Sequence, residues 1–521
     1  MNDVRGKRVL VVGLGRSGHA VALCLQRHGA VVTVTDSKPP AAFAPLLPDL
    51  LAQKIGVQLG SQRAEVFLAH DLVVVSPGVP WDLPQLDAAR ARGIPVVPEI
   101  EVASWYLRDP IVGVTGSNGK TTTTKLLAAA MASQGPVVTN VLGANLPTGL
   151  VTALAAGPPG VPAVLEVDEA WLARVSLRVR PRVVALLNLS RDQLDRNNEV
   201  RQVASRWRQM CEEAPPTARV VANADDPLVA WAASGAKQVT WVGAGLRWRG
   251  DATGCPACGG QIVFAAEDGT AGAPSQEPTS PGGAALPGPG WACSSCGFSR
   301  PPLDIWLGPV ASPTVVVSGV AYSVSLGLPG RCNQANAAMA LGACLAIGSD
   351  AVRSLGAMAG VNEVAGRYAT AQVGGTTLRL LLAKNPAGWA EVFDLLAPPP
   401  SPVVVAINAR TADGHDPSWL WDVPFEVLRG RPVVATGERH LDLAVRLLYA
   451  GVDHARVSSL LEAVSAPGTD RVDVVANYTA FHQLLAQLRP ATTAPRADRQ
   501  AHRLEEQLVG QRTAPGASGA P

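Results

Sequence analysis

The chain has almost no net charge, no long apolar run and few cysteines outside two tight pairs, and each shortage excludes something. Lysine plus arginine number 44 against 42 aspartates and glutamates, a formal charge of +2. So even a balance sets up no global field for nucleic acid or an anionic membrane, and partners have to be argued from local sites. No apolar run reaches the roughly 20 residues that would span a bilayer. The N-terminus, Met1-Asn2-Asp3-Val4-Arg5-Gly6-Lys7, leads directly into an apolar strand, without the apolar core and small-residue cleavage site of a signal peptide. A cytoplasmic protein is expected, in a compartment where thiols stay unpaired. With 521 residues the chain has room for about three domains.

What the chain does have is a phosphate-binding pattern. The apolar run Ile111 to Val114 enters Thr115-Gly116-Ser117-Asn118-Gly119-Lys120-Thr121-Thr122, and a helix-forming stretch follows. Backbone N–H groups of such a turn can wrap phosphate oxygens, and the helix N-terminus adds its positive dipole end. Lys120 adds a charge and the Thr121 hydroxyl can ligate Mg²⁺. ATP is the expected ligand. Val114 stands where the general pattern has its first glycine, so a plain glycine-rich strand-to-helix turn is the alternative.

A second nucleotide-type signal lies upstream. Strand Arg8 to Val12 is followed by Gly13-Leu14-Gly15-Arg16-Ser17-Gly18, a helix through Arg27, a strand Val31 to Thr35, and Asp36. This is a Rossmann-type βαβ opening, with Gly13, Gly15 and Gly18 for the tight turn and Asp36 placed to reach a ribose. Another strand, Asp71 to Val75, ends in Ser76-Pro77-Gly78, at the sheet edge where ligands sit in such folds. A G-x-G-x-x-G alone is weak evidence, and a phosphate loop a hundred residues later argues against a simple dehydrogenase.

Carboxylates follow the phosphate loop. Val164-Leu165-Glu166-Val167-Asp168-Glu169 delivers acids to a strand end, where they suit Mg²⁺ or a reacting water. Glu166 interrupts an apolar run and is the first choice; for Asp168 and Glu169 a solvated loop acid is the alternative reading. Strand Arg182 to Leu187 ends in Asn188-Leu189-Ser190-Arg191-Asp192-Gln193-Leu194-Asp195-Arg196, again polar groups at the same edge. The knuckles Cys255-Pro256-Ala257-Cys258 and Cys293-Ser294-Ser295-Cys296 can place four thiolates around a structural Zn²⁺. Disulfide pairing is the alternative, and the other four cysteines read as packing residues. Strand Val403 to Ile407 leads into a polar loop holding Asp413, His415, Asp416 and Trp419, a plausible recognition edge in which each aspartate could equally be an Asx-turn residue.

The set Gly116 to Thr121, Glu166, Asp192, Asp195-Arg196, Asn223-Ala224-Asp225-Asp226-Pro227 and Gly330-Arg331-Cys332-Asn333-Gln334-Ala335-Asn336 resembles the Mur ligases of peptidoglycan synthesis. That resemblance implies an α/β fold of three domains: a Rossmann-like N-terminal domain over 1–107, a central ATPase domain over 108–362 with a zinc ribbon inserted at 250–303, and a Rossmann-like C-terminal domain over 363–489. Residues 490–521, rich in Ala, Pro and Gly, are expected to be disordered apart from a short helix around Arg503 to Val509. In the family, ATP phosphorylates a carboxylate and an amine displaces the phosphate. The resemblance places Asn333, Asn336, Arg367 and Lys384 on the nucleotide, with Lys120, Thr121 and Glu166 on phosphate and Mg²⁺.

Two departures are informative. Amino-acid-adding Mur ligases carry Asp-His where this chain has Asp192-Gln193, and a carbamylated lysine downstream, whereas the only lysine between Lys125 and Lys384 is Lys237. The Arg191 to Arg196 segment, the paired knuckles and the Asp413 to Trp419 loop resemble the MurT-type synthetase subunits of lipid II isoglutaminyl synthase. That resemblance implies amidation of a D-glutamate α-carboxylate on lipid II or a UDP-muropeptide, using ammonia from a GatD-like glutaminase partner that Asp413 or Asp416 would face. Peripheral membrane association through lipid II is a further implication. The opening domain instead resembles that of the D-glutamate ligase MurD, with Gly13 to Gly18, Asp36 and Ser76 on uridine diphosphate. It could bind a UDP-linked acceptor, or serve as a scaffold that recognises a lipid-linked pyrophosphate. A MurD-like D-glutamate ligase is the alternative function, and a non-enzymatic nucleotide-binding scaffold the third.

Overall fold

The computed structural model describes residues 3–106, 110–140, 143–158, 160–191, 200–265, 290–309, 312–362, 364, 368–465 and 469–488. Asp192, Gln193, Asp195, Arg196, Arg367 and the expected disordered tail lie outside these residues. The chain divides into two compact units, Met1–Ser190 with Asn198–Asn362, and Arg191–Asn197 with Glu363–Pro521.

The first unit opens with strands β1 (Arg8–Val12), β2 (Val31–Asp36), β3 (Gly56–Leu59), β4 (Leu72–Val75) and β5 (Val96–Pro98). They form a parallel sheet in the order β3-β2-β1-β4-β5. Val9 to Val12 are fully buried, as expected of a central parallel strand covered on both faces. The order reverses between β1 and β4, so the loops after those strands, carrying Gly13 to Gly18 and Ser76, flank the crevice where α/β sheets take ligands.

The remainder of this unit holds β6 (Ile111–Thr115), β7 (Val138–Thr139), β8 (Ala163–Glu166), β9 (Val183–Leu186), β10 (Arg219–Asn223), β11 (Val239–Gly243), β12 (Ile262–Phe264), β13 (Trp291–Cys293), β14 (Ile305–Leu307), β15 (Thr314–Val317) and β16 (Val320–Ser323). Among the described residues they make one sheet in the order β16-β15-β14-β11-β10-β9-β6-β8-β7, while β12 and β13 pair separately as an antiparallel hairpin. Strand β6 lies between β8 and β9, with Val114 opposite Glu166 and Thr115 opposite Leu186. That register brings the ends of three strands to one place. The two halves of the unit share a core in which Val21 and Leu25 belong to the same cluster as Leu150 and Leu154, and His28 stacks on Tyr106 with ring centroids 3.6 Å apart. Among the described residues no helix is long and apolar enough to cross a membrane.

The second unit contains β17 (Tyr368–Val373), β18 (Thr376–Leu382), β19 (Val403–Ala406), β20 (Val433–Thr436), β21 (His454–Arg456) and β22 (Arg471–Ala476), ordered β17-β18-β22-β19-β20-β21. All pairs are parallel except β17 with β18. One charged pair is sunk into this sheet. Arg379 donates from Nε to Asp473 Oδ1 at 2.8 Å and from Nη2 to Oδ2 at 2.6 Å, and Ala397 N donates to Oδ2 at 2.8 Å. The Asp473 side chain is 1% exposed. Both partners were desolvated to make this fork, so removing one strands the other.

Asp473→Ala is therefore expected to destabilise the second unit by roughly 3–5 kcal/mol. Denaturant unfolding followed by the fluorescence of Trp389, which is buried in that unit, checks this. Replacing both Arg379 and Asp473 by leucine should cost less than either single loss.

Candidate functional site

The phosphate loop is held open by the chain on either side of it. Asn188, just past β9, holds both backbone polar groups of one residue: its Oδ1 accepts from Asn118 N at 2.8 Å and its Nδ2 donates to Asn118 O at 3.1 Å. Ser117 N donates to Asn188 O at 3.0 Å, the Ser117 hydroxyl donates to Ser190 O at 2.7 Å, and it accepts from Ser190 N at 2.8 Å. The glycines are required by these contacts. Gly116 has φ of +151° and a Cβ there would lie 2.9 Å from Leu187 Cβ; at Gly119, with φ of +79°, a Cβ would lie 2.3 Å from Asn336 Oδ1. Helix Lys120–Ala132 starts directly after Gly119.

Lys120 is 6% exposed and pairs with Glu169 Oε2 at 2.8 Å, also donating to Gly116 O. Glu169, which the sequence could not separate from a solvated loop acid, is thus a partner of the phosphate-loop lysine. Its backbone is fixed as well, since the fully buried Trp207 donates from Nε1 to Glu169 O at 2.9 Å. Asp168 accepts from Ala170 N at 3.0 Å in a turn.

Glu166, 1% exposed, is placed by its neighbours. Its N–H donates to Asn140 Oδ1 and its carbonyl accepts from Asn140 Nδ2, both at 2.8 Å, and its Oε1 accepts from Asn145 Nδ2 at 3.1 Å. Gly143 lies opposite. A Cβ on Gly143 would stand 3.7 Å from Thr121 Oγ1 and 3.8 and 3.9 Å from the Glu166 oxygens, so one glycine-lined space faces a hydroxyl and a carboxylate. Hard oxygen donors around a small space suit Mg²⁺, with Thr121 and Glu166 as the protein ligands.

Asn336 bridges toward the loop, accepting from Thr123 Oγ1 at 3.2 Å, and its Nδ2 lies 3.4 Å from Asn333 Oδ1. Asn333 donates to Pro329 O at 2.6 Å. Thr122 is buried in the first turn of the helix that follows Gly119. In the second unit the Lys384 ammonium lies 4.8 Å from the centroid of the Tyr478 ring.

Asp413 and Asp416 differ sharply. Asp413 is buried, accepting from Thr479 N at 2.9 Å and from the Thr479 hydroxyl; burial pushes its carboxyl above the usual range against those hydrogen bonds. It ties its loop to the chain after β22. Asp416 is exposed and accepts from Ser418 N at 2.8 Å, and His415 beside it is exposed too.

The sulfur atoms of Cys255, Cys258, Cys293 and Cys296 all lie within 4.8 Å of one another. Deprotonated, four sulfurs this close could hold a cation, and the donor set matches closed tetrahedral Zn²⁺. Cys24, Cys211 and Cys344 are buried, as packing residues should be, and Cys332 is partly exposed.

At the N-terminal crevice Gly13 has φ of +99°, and a Cβ on Gly18 would meet Gly13 O at 2.0 Å. Gly15 is the residue before helix Arg16–Arg27. Asp36 accepts from Leu14 N at 2.9 Å and Lys38 N at 3.0 Å, so it shapes the glycine loop. The sequence reading missed Glu99. It is 1% exposed, its Oε2 lies 2.8 Å from Ser76 Oγ, and Ser76 Oγ lies 3.1 Å from Gly13 O. Burial raises its carboxyl to about 7, although hydrogen bonds from Ser17 and Ser76 pull the other way.

Three family models match in chain order: the Mur ligase MurD-like N-terminal domain over residues 7–98, the Mur ligase middle domain over 114–246, and the MurT ligase C-terminal model over 382–481. A UDP-N-acetylmuramoylalanine--D-glutamate ligase of Koribacter versatilis is 41% identical over 240 residues, 46% of this chain and 52% of that one. One from Anaeromyxobacter dehalogenans is 42% identical over 226 residues, 43% of this chain and 48% of that one. The chain spans about half the length of the curated relatives it matches. Among solved structures, a pseudomurein peptide ligase type C from Methanothermus fervidus aligns with TM-score 0.61 at 18% identity, over 93% of this chain and all of that one. The chain has the three-domain α/β fold of the Mur ligases, built from a MurD-like N-terminal domain, a Mur ligase middle domain and a MurT-type C-terminal domain.

Glu99 gives a pH dependence. Its folded value of about 7 lies above the ordinary 4.5, so the folded state holds a proton that the unfolded chain releases. The associated stability is full below 4.5, declines as pH rises and is gone above about 7, a span worth about 3 kcal/mol. Glu99→Gln, neutral at every pH, should flatten the fall in melting temperature between pH 5 and 8.

Proposed function

We propose that the chain is an ATP-dependent carbon–nitrogen ligase acting on a peptidoglycan precursor, and more narrowly that it amidates a D-glutamate α-carboxylate to D-isoglutamine. The observation that carries the ligase reading is the phosphate loop braced by Asn188, with Lys120 buried beside Glu169 and Thr121 facing Glu166. A carboxylate is a poor electrophile until one oxygen becomes a leaving group. A carboxylate oxygen attacks the γ-phosphorus of ATP and ADP leaves; a nitrogen lone pair then attacks the acyl carbon, phosphate departs and the nitrogen loses a proton. Lys120, leaving Glu169 for the γ-phosphate, would neutralise charge that builds in the first step. Mg²⁺ held by Thr121 and Glu166 would supply further charge neutralisation at the phosphates.

Ammonia as the nucleophile is supported by the MurT ligase C-terminal match, by Gln193 where amino-acid-adding relatives carry histidine, and by the four-cysteine cluster. Its source would be a separate glutaminase subunit. Asp416 is the residue we assign to face that partner, because Asp413 is buried and spent on Thr479. The second reading, addition of D-glutamate to UDP-N-acetylmuramoyl-L-alanine, is favoured by the MurD-like N-terminal domain and by the names of the 41%- and 42%-identical relatives.

The test measures ADP release and product mass with lipid II, UDP-muropeptide or UDP-N-acetylmuramoyl-L-alanine, each with ammonia or D-glutamate. Ammonia incorporation is expected. D-glutamate incorporation alone would transfer the assignment to the second reading, and no turnover with any acceptor would end both. Lys120→Ala should lower ADP release by about 100-fold or more. Asp416→Asn should spare ammonia-driven turnover while abolishing glutamine-driven turnover with a cognate glutaminase, whereas Asp413→Asn should act mainly by lowering stability.

A further inference from the structure

We infer that the four-cysteine ribbon positions the phosphate loop, and that Trp291 and Arg300 are the residues through which it does so. The inference rests on the nucleotide reading of that loop and goes beyond it, because the ribbon holds none of the loop's own residues. The ribbon interrupts the chain between β11 and β14, two strands that pair directly with each other. Closing the sheet therefore does not require it.

Its contacts show where it is anchored. Cys255, Ile262, Trp291 and Cys293 form one buried cluster with Ala230 of helix Pro227–Ala233. Two polar contacts then reach the turn that enters that helix. Trp291 Nε1 donates to Ala224 O at 3.0 Å, with both groups buried. Arg300 Nη1 pairs with Asp225 Oδ1 at 3.0 Å, the side chains being 12% and 17% exposed. The other Asp225 oxygen accepts from Gly245 N at 2.7 Å.

The next residue carries the connection across the sheet. Asp226 is fully buried; its Oδ1 caps the helix by accepting from Leu228 N at 2.9 Å and Val229 N at 3.2 Å, and its Oδ2 accepts from Leu189 N at 2.8 Å. Leu189 sits between Asn188 and Ser190, the two residues that grip Asn118 and Ser117. A contiguous path thus runs from the thiolates through Trp291 and Arg300 to residues 224–226, on to 188–190, and into the phosphate loop. The first link is apolar packing, the links within 224–226 and 188–190 are the backbone itself, and the rest are buried or partly buried hydrogen bonds and one ion pair, where a displaced partner is costly to leave unsatisfied. Without a cation the crowded thiols lose their common centre, and the base on which Trp291 and Arg300 stand is no longer fixed.

The experiment uses the full chain with its metal. Trp291→Phe, Arg300→Met and Asp225→Asn are compared with the unaltered protein for bound zinc, for MgATP affinity by calorimetry, and for hydrogen exchange at residues 113–123 and 186–190. The expected result is zinc content unchanged, MgATP binding weaker by about three- to tenfold, within the range such couplings carry, and faster exchange in both segments. Arg300→Met and Asp225→Asn combined should weaken binding no more than either alone. Zinc-loaded variants with unaltered affinity and exchange would overturn the inference, and so would loss of zinc from all three, since the side chains would then be serving the ribbon itself. An unaltered chain that fails to bind MgATP would remove the nucleotide reading along with it.

Discussion

The constraint on which the first unit depends is that a loop meant to bind phosphate must present bare N–H groups without closing on itself. Backbone donors left without partners are costly, and a loop free to rearrange would turn them inward. Asn188 prevents this by bonding both the N–H and the C=O of Asn118, while Ser117 and Ser190 exchange two hydrogen bonds beside it. The ion pair of Lys120 with Glu169 does the same for charge. The lysine is buried only because a carboxylate is already beside it, so the site is assembled before any ligand arrives.

Each sheet uses its strand ends in the same way, with different side chains. In the central sheet the register of β6 with β8 and β9 sets Glu166 on one side of the phosphate loop and Asn188 on the other. In the N-terminal sheet the ends of β1 and β4 bring Gly13 against Ser76, with Glu99 behind. In the second unit the ends of β19 and β22 are tied by Asn408 and Asn477, which donate to one another at 3.0 and 2.6 Å, and the loop carrying Asp413 and Asp416 springs from that pair. Parallel strands with buried faces leave only their ends for chemistry, which explains why polar residues in this chain crowd at those points.

The same rule explains what could be read from the sequence. Apolar runs leading into glycine turns mark β1, β4 and β6, and one ended by Asn188 marks β9, because burial on both faces demands runs of Val, Ile and Leu. The paired cysteines were legible because metal ligation needs fixed spacing. Glu169, Asp226 and Glu99 were not assigned these roles. An acid after a strand looks the same whether it meets solvent or a lysine, and Glu169 is decided by Lys120, 49 positions away. Asp413 and Asp416 sit three positions apart in one loop, and only the meeting with Thr479 separates an anchor from an exposed carboxylate. Asn336 reaches Thr123 across 213 positions, a contact no local pattern contains.

The ribbon hairpin has one more property. Strands β12 and β13 pair from Ile262 to Phe264 against Trp291 to Cys293, and Ala265 N donates to Gly290 O at 2.7 Å, which closes the hairpin at its far end. The cysteine pairs lie on the near side of that closure. The hairpin is therefore pinned at both of its described ends, by the knuckles at one and by Ala265 with Gly290 at the other. Val263, exposed on this hairpin, is a natural position for a fluorophore that leaves the thiolates, and everything braced by them, where they are.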